Sequence, residues 1–370
     1  MSIYTGKAPA RANIIGEHTD YAPNGGHVLP TPLPFHTKVT LEETSGPAGR
    51  LTLSSETYPD ESVTRTLLDE CRGHWTDYIV GCLKVAAAKV EIPALKITVK
   101  SDVPIGCGIS SSAALCVAAV RAVKAMSGAP WTDKEIALMA YEAEHDFVGV
   151  PCGKMDQFAS SVGRSGQALL LDTRTLEFCN VPLPRNTALM LVDCGKKHDL
   201  AKGDSHKKRM DRMAECIEAR DQLGVETLCE LGYEDLPRLS VLRDVVARRA
   251  RHVITENRRV LDFVAALEGG DTAKQADLIA ASHVSQRDDF ECSIPEIDAL
   301  VESSKRFGVR GARLVGGGFG GAIIALVPSE DAVAWWRFVS KENPDASLIS
   351  SYALGRTESA HAASAHTLTR

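Results

Sequence analysis

Residues 103–114 of this 370-residue chain read Val-Pro-Ile-Gly-Cys-Gly-Ile-Ser-Ser-Ser-Ala-Ala, a composition suited to holding an anion. Gly106 and Gly108 let backbone N–H groups crowd around a ligand, and Ser110, Ser111 and Ser112 add hydroxyls. If the loop opens a helix, the helix N-terminus adds partial positive charge, and polyphosphate is the natural guest. The bland alternative is a turn that only reverses the chain. The loop lacks the Gly-Lys-Ser/Thr ending of a P-loop and the Gly-x-Gly-x-x-Gly spacing of a Rossmann turn, which excludes two common nucleotide motifs.

Four further clusters could do chemistry. Arg11 and Gly16 precede Glu17, His18 and Asp20, short polar side chains that suit pairs of sugar hydroxyls or, on the bland reading, a solvated turn. Glu144 falls near the end of a helical stretch, where a carboxylate opposes the helix dipole unless a cation sits nearby; exposed helical glutamates are also common. Asp156, between apolar Met155 and Phe158 and close to Gly153 and Lys154, is either a desolvated acid/base or a helix cap. Residues 313–321, Arg-Leu-Val-Gly-Gly-Gly-Phe-Gly-Gly, hold more glycines than a structural hairpin needs, since each costs conformational entropy.

Local patterns indicate what positions these residues. Leu95, Ile97 and Val99 alternate with polar residues and predict a half-buried strand leading into the serine loop. The Ala/Leu/Val-rich run from Leu115 to Met126, free of Gly and Pro, predicts a largely buried helix leaving it. Thr132-Asp133-Lys134-Glu135 predicts a capping box opening a helix that runs to about Phe147.

Composition sets the outer limits. The length holds two ordinary domains, and 44% hydrophobic with 24% charged residues is the balance of a soluble globular protein. A net charge of −6 without a basic tract argues against a nucleic-acid partner, and no span of 18 apolar residues argues for a membrane. The first 21 residues contain Lys7, Arg11, Glu17 and Asp20 and no apolar h-region, so a cytoplasmic location is expected. The ten cysteines never fall in a Cys-x-x-Cys spacing, which argues against a structural zinc site and reads as reduced thiols. Residues 356–370, rich in Ala, Ser, Thr and His, read as a frayed tail.

Taken in order, these segments resemble the GHMP family of small-molecule kinases, in its galactose-phosphorylating branch. The residues that carry the resemblance are Glu17-His18-Thr19-Asp20-Tyr21 with Asn24 to Pro30 behind it, the loop from Pro104 to Ala113, and the glycine run 316–321. Shorter similar stretches are Trp75-Thr-Asp-Tyr78, residues 151–158, Arg251-His-Val253 and residues 282–289, so the likeness spans about residues 8–327. It implies an α+β, two-domain fold: residues 1–185 with the sugar motif and phosphate loop, 186–355 with the third glycine motif, and the active site in the cleft between them.

The resemblance also implies roles. Arg11 and Asp156 match catalytic positions, Glu17, His18, Asp20 and Gly153 sugar-binding positions, and Ser112 with Glu144 the ligands of Mg²⁺. Gly106, Gly108, Ser110, Ser111 and Ser112, with Trp75 and Tyr78 near the adenine, would bind ATP. The implied reaction is ATP-dependent phosphorylation of the 1-hydroxyl of α-D-galactose, with small molecules as partners; nothing in the chain sets an oligomeric state. Three departures bear on the sugar: Ala22-Pro23 is inserted after Tyr21, Ala10 stands where a glycine usually precedes the arginine, and Ser205 stands where a tyrosine usually faces the sugar. The rivals are a kinase for N-acetylgalactosamine, arabinose or a uronic acid, and a non-catalytic galactose sensor. The intact serine loop, Arg11 and Asp156 weigh against the sensor.

Overall fold

The computed structural model describes residues 2–20, 25–104, 106–196 and 203–354, so Ala22, Pro23 and the tail at 356–370 lie outside the described residues. The chain divides into two units. The first takes in the described residues of Met1–Arg11, Pro32–Ile105 and Ile109–Gly163; the second takes in those of Ala12–Thr31, Gly106–Gly108 and Arg164–Arg370. This contact division and the sequence boundary at residue 185 are different partitions: described residues of 12–31 and 164–185 fall in the second unit.

The strands of the chain's first half are β1 (Ile3–Asn13), β2 (His27–Val28), β3 (Pro30–Glu43), β4 (Arg50–Ser55), β5 (Tyr58–Thr66) and β6 (Leu95–Ser101). Five form a sheet in the order β1-β3-β6-β4-β5. β6 buries Leu95, Ile97 and Val99 and exposes Lys96 and Lys100, the alternation legible in its sequence. It pairs antiparallel with β3 and parallel with β4, so that Leu41, Ile97 and Leu53 stand side by side. This apolar face packs Ile79, Leu83, Val117, Val120 and Ile136 of helices α1 (Thr76–Ala87), α2 (Ser111–Ser127) and α3 (Asp133–Glu142). Burying each such side chain stabilises the unit by roughly 1.5–3 kcal/mol.

Four contacts fix the elements that carry the site. A Cβ at Gly6 would lie 2.0 Å from the Ala118 carbonyl oxygen, so only glycine lets β1 approach α2 this closely. Arg121 of α2 donates to the Lys7 carbonyl at 2.7 Å and to the Ser161 carbonyl at 2.8 Å, tying β1 to α4 (Met155–Val162). The Ser160 hydroxyl closes the triangle on the Pro9 carbonyl at 2.7 Å.

The capping box expected at Thr132–Glu135 is present, with both reciprocal bonds made. The helix continues to Phe147, as read, but its last turn, Ala143–Phe147, is a π-helix in which Val148 N–H reaches back to the Ala143 carbonyl. Such wide turns re-aim one side chain and recur at functional sites; this one carries Glu144.

In the second unit β10 (Ala312–Val315), β11 (Ala322–Pro328), β9 (Thr187–Asp193) and β12 (Ser347–Ala353) form an antiparallel sheet in that order. A smaller sheet joins β2, β7 (Gln167–Asp172) and β8 (Phe178–Pro182). Helices α5 (Gly203–Leu223), α6 (Asp244–Glu268), α7 (Thr272–Asp288), α8 (Pro295–Phe307) and α9 (Ala332–Glu342) complete it. Met190, Val192, Leu314 and Ile323 of the larger sheet share a core with Val253, Leu300 and Trp335. Val315 pairs with Ala322, so the glycine run 316–321 is the connection of a β-hairpin. All ten cysteines are free, and among the described residues no helix is long and apolar enough to cross a membrane.

Candidate active site

In the first unit the Arg11 Nε–H donates to Asp156 Oδ1 at 2.7 Å, and the Ser110 hydroxyl donates to Asp156 Oδ2 at 2.5 Å. Arg11 is buried, and the Asp156 side chain keeps a quarter of its surface exposed, which leaves the carboxylate reachable from solvent. Of the two readings of Asp156, the helix cap is not the one made: it lies in the first turn of α4 and its oxygens go to Arg11 and Ser110. Ser110 stands at the N-terminal boundary of α2 with φ +62°, a left-handed backbone unusual for a non-glycine residue, and its side chain makes no cap hydrogen bond. Gly153 is buried in the loop just before α4.

Glu144 is buried and receives hydrogen bonds from the Ser112 hydroxyl and from Gln157 Nε2, the latter at 2.8 Å. Burial pushes its carboxyl up to about 7, and the neighbouring Asp156 carboxylate adds to the rise, against the Ser112 hydroxyl, the Gln157 amide and Arg11. Ser112 and Glu144 thus present hard oxygens to a common point. A divalent cation there fits the donor set, because Mg²⁺ uses one or two carboxylates and completes its shell with water and phosphate oxygens.

A pocket of about 560 Å³ is lined by Tyr58, Trp75, Tyr78, Val99, Ser111 and Ser112 among others. Tyr58 stacks on Trp75 with centroids 6.4 Å apart, and the Trp75 indole N–H is buried without a protein acceptor. Burial raises the Tyr78 phenol, which stays protonated. Asp77, fully buried, holds this wall: Oδ1 accepts from Arg65 at 2.9 Å, and Oδ2 from the N–H groups of Arg72 at 3.0 Å and His74 at 2.7 Å.

In the second unit Glu17 is buried, and its Oε1 accepts from the Gly316 N–H at 2.8 Å and Arg313 Nη2 at 3.3 Å. Arg313, fully buried, also donates to the carbonyls of Asn13, Ile14 and Leu314. His18 adopts φ +65° and stacks on Phe290 at 4.3 Å; burial, and then the neighbouring His252, hold it neutral. Asp20 is half-buried at the end of this segment. Gly106 and Gly108 both have positive φ, and Gly316 lies beside Gly108. Ser205 is half-buried in the first turn of α5.

Of the residues read from the sequence, the first unit gathers Arg11, Ser110 and Asp156, then Ser112 with Glu144, then Trp75 with Tyr78 and Ser111. The second gathers Glu17 and His18. Sequence reasoning missed Arg65, Asp77, Arg121 and Gln157. Asp77 and Gln157 stand inside quoted motifs, the one signal that could have found them.

Comparison with known proteins agrees with this architecture. Residues 77–164 match the GHMP kinases N terminal domain and residues 263–345 the GHMP kinases C terminal domain. A mevalonate kinase from Methanococcus jannaschii shares the fold with a TM-score of 0.69 at 17% identity, over 95% of this chain and 99% of that one. Residues 2–42 match the galactokinase galactose-binding signature. A galactokinase from Thermotoga neapolitana is 42% identical over 323 residues, 86% of this chain and 88% of its own. One from Pasteurella multocida is 38% identical over 338 residues, 88% of this chain and 86% of its own. A Lactococcus lactis galactokinase complexed with galactose superposes with a TM-score of 0.88 at 28% identity, covering 96% of this chain and 94% of that one. The chain belongs to the GHMP kinase family, in its galactokinase branch.

Proposed function

We propose that this chain transfers the γ-phosphoryl group of ATP to the 1-hydroxyl of α-D-galactose, giving galactose 1-phosphate and ADP. The observation that carries the reading is the Arg11–Asp156–Ser110 cluster, within electrostatic reach of the Ser112–Glu144 pair. Phosphoryl transfer asks a protein mainly for positioning and charge stabilisation. The new bond joins sugar O1 to phosphorus, the bond from phosphorus to the β-phosphate oxygen breaks, and the O1 proton leaves.

Asp156 stands as the acceptor of that proton or as the charge that orients the hydroxyl. Arg11 keeps Asp156 in place and offers its guanidinium to charge on the transferring group. The trio Ser110, Ser111 and Ser112, with Gly106 and Gly108, supplies donors to the phosphates. Mg²⁺, held by Ser112 and Glu144, would supply charge neutralisation at those phosphates. The Trp75–Tyr78 pocket has the size and the spare indole donor for a nucleoside, and Glu17, His18, Asp20 and Gly153 read the sugar. Ten unbridged cysteines favour a reducing compartment, which supports the cytoplasm.

Incubation with ATP, Mg²⁺ and galactose, followed by phosphorus NMR, tests the reading. A new resonance coupled to the anomeric proton supports it, and ADP formation independent of galactose contradicts it.

A further inference from the structure

Helix α6 carries a buried polar stripe, His252, Glu256 and Arg259, at i, i+4 and i+7, on one face of the helix. Each of these side chains makes at least one buried hydrogen bond. Glu256 Oε1 accepts from the Gly16 N–H at 3.0 Å and from the Ser282 hydroxyl at 2.7 Å, while Oε2 accepts from Arg259 Nε at 2.7 Å. His252 Nε2 donates to the Glu17 carbonyl at 3.2 Å. The main chain on which Glu17 and His18 are mounted is therefore pinned on two consecutive residues by one rigid helix.

That main chain needs pinning. Gly16 has φ +102°, and a Cβ there would fall 2.8 Å from the His27 carbonyl oxygen and from a Val260 methyl. His18 follows at φ +65°. Gly16 takes its φ without strain, as glycine does, but a non-glycine residue held at positive φ, such as His18, persists only where the surroundings over-determine it, and such strain is concentrated where side chains must be aimed. Water cannot replace the pins, because Glu256, His252 and Ser282 are fully buried.

We propose that Glu256, acting through the Gly16 amide and helped by His252 and Ser282, is a positioning residue that fixes the sugar-recognition segment. This rests on the functional reading above, in which Glu17 and His18 face the sugar. A side chain displaced by about 1 Å can cost a site roughly 10²-fold, so a carboxylate that sets the backbone of two recognition residues acts on sugar affinity without touching the sugar.

The test uses the whole 370-residue chain and separates positioning from stability. Glu256→Asp keeps the charge that faces Arg259 but withdraws the carboxylate by about 1.5 Å, one carbon–carbon bond. The expected result is a folded protein whose galactose KM rises about 10-fold or more while its ATP KM stays within about 2-fold of the parent. Ser282→Ala, which leaves the Arg259 and Gly16 contacts in place, should raise galactose KM about 3-fold, the scale of one lost hydrogen bond to the same oxygen. A lower melting temperature with galactose KM unchanged would make Glu256 a structural residue and overturn the proposal. If Glu256→Asp does not fold, Ser282→Ala decides: an unchanged galactose KM there overturns it. Parent protein that turns over no galactose overturns the functional reading itself, a different outcome from a variant that matches an active parent.

Discussion

Arg11 and Asp156, 145 residues apart in sequence, meet at 2.7 Å, and the second carboxylate oxygen of Asp156 takes the Ser110 hydroxyl. The contact joins strand β1 to helix α4, and Arg121 and Ser160 brace the same two elements from behind. Asp156 is thereby held as an oriented carboxylate with a quarter of its side chain open. Asp156→Asn should bind ATP and galactose nearly as the parent does and lower kcat by about 10²-fold or more, the scale of a lost general base. Single-turnover kinetics reads this directly; near-normal turnover in a folded variant removes Asp156 from the chemistry.

Ser112 and Glu144 should act on the metal and not on the sugar. Ser112→Ala and Glu144→Gln are each expected to raise the Mg²⁺ concentration for half-maximal activity by about 10-fold, with partial recovery at high Mg²⁺ and galactose KM unchanged. Mn²⁺ titration followed by paramagnetic resonance in the presence of ATP gives the same comparison without turnover. Equal metal affinity in parent and variants would remove both residues from the metal site.

Asp77 is the keystone of the aromatic wall. Asp77→Ala takes from buried Arg65 one of its two carboxylates, Asp69 remaining at 2.8 Å, and frees two backbone N–H groups, a loss of roughly 1–3 kcal/mol for each donor left buried and unsatisfied. Urea unfolding should show this, and any folded fraction should have a raised ATP KM because Trp75 is no longer held.

How much of this was legible in the sequence depends on how local the signal is. The capping box at Thr132–Glu135 and the alternation of Leu95, Ile97 and Val99 are read directly, because four to five consecutive residues decide them. The serine loop reads as the start of a helix for the same reason. The π-turn at Glu144 is invisible, since one extra residue per turn leaves no mark on the hydrophobic pattern. Arg121, Asp77 and Glu256 carry no local mark of burial, because no neighbouring residue separates a buried charge from a solvated one. The roles of Arg11 and Asp156 came from family resemblance, because no periodicity links two residues so far apart.

Glu256 also sets an acid limit. Burial alone would raise its carboxyl, but Arg259, then His252 and Arg313, pull it down to about 2. The folded value lies below the unfolded one, near 4.3, so the unfolded chain binds more protons between these limits. The resulting stability, about 3 kcal/mol, is fully present above the unfolded value and lost as pH falls towards 2. Melting curves from pH 5 to pH 2 should fall less steeply for Glu256→Gln than for the parent. Parallel curves would show that Glu256 is not ionised in the fold.

The central claim is galactose as the phosphoryl acceptor. It is tested most directly by kcat/KM with ATP and Mg²⁺ across galactose, glucose, N-acetylgalactosamine, arabinose and a uronic acid. Galactose should lead, with its 4-epimer glucose disfavoured by roughly 10²-fold or more, because a site built to pair a hydroxyl leaves buried polar groups unpaired when that hydroxyl is inverted. Ser205→Tyr should preserve or sharpen this preference. A higher kcat/KM for arabinose, N-acetylgalactosamine or the uronic acid than for galactose would contradict the substrate assignment.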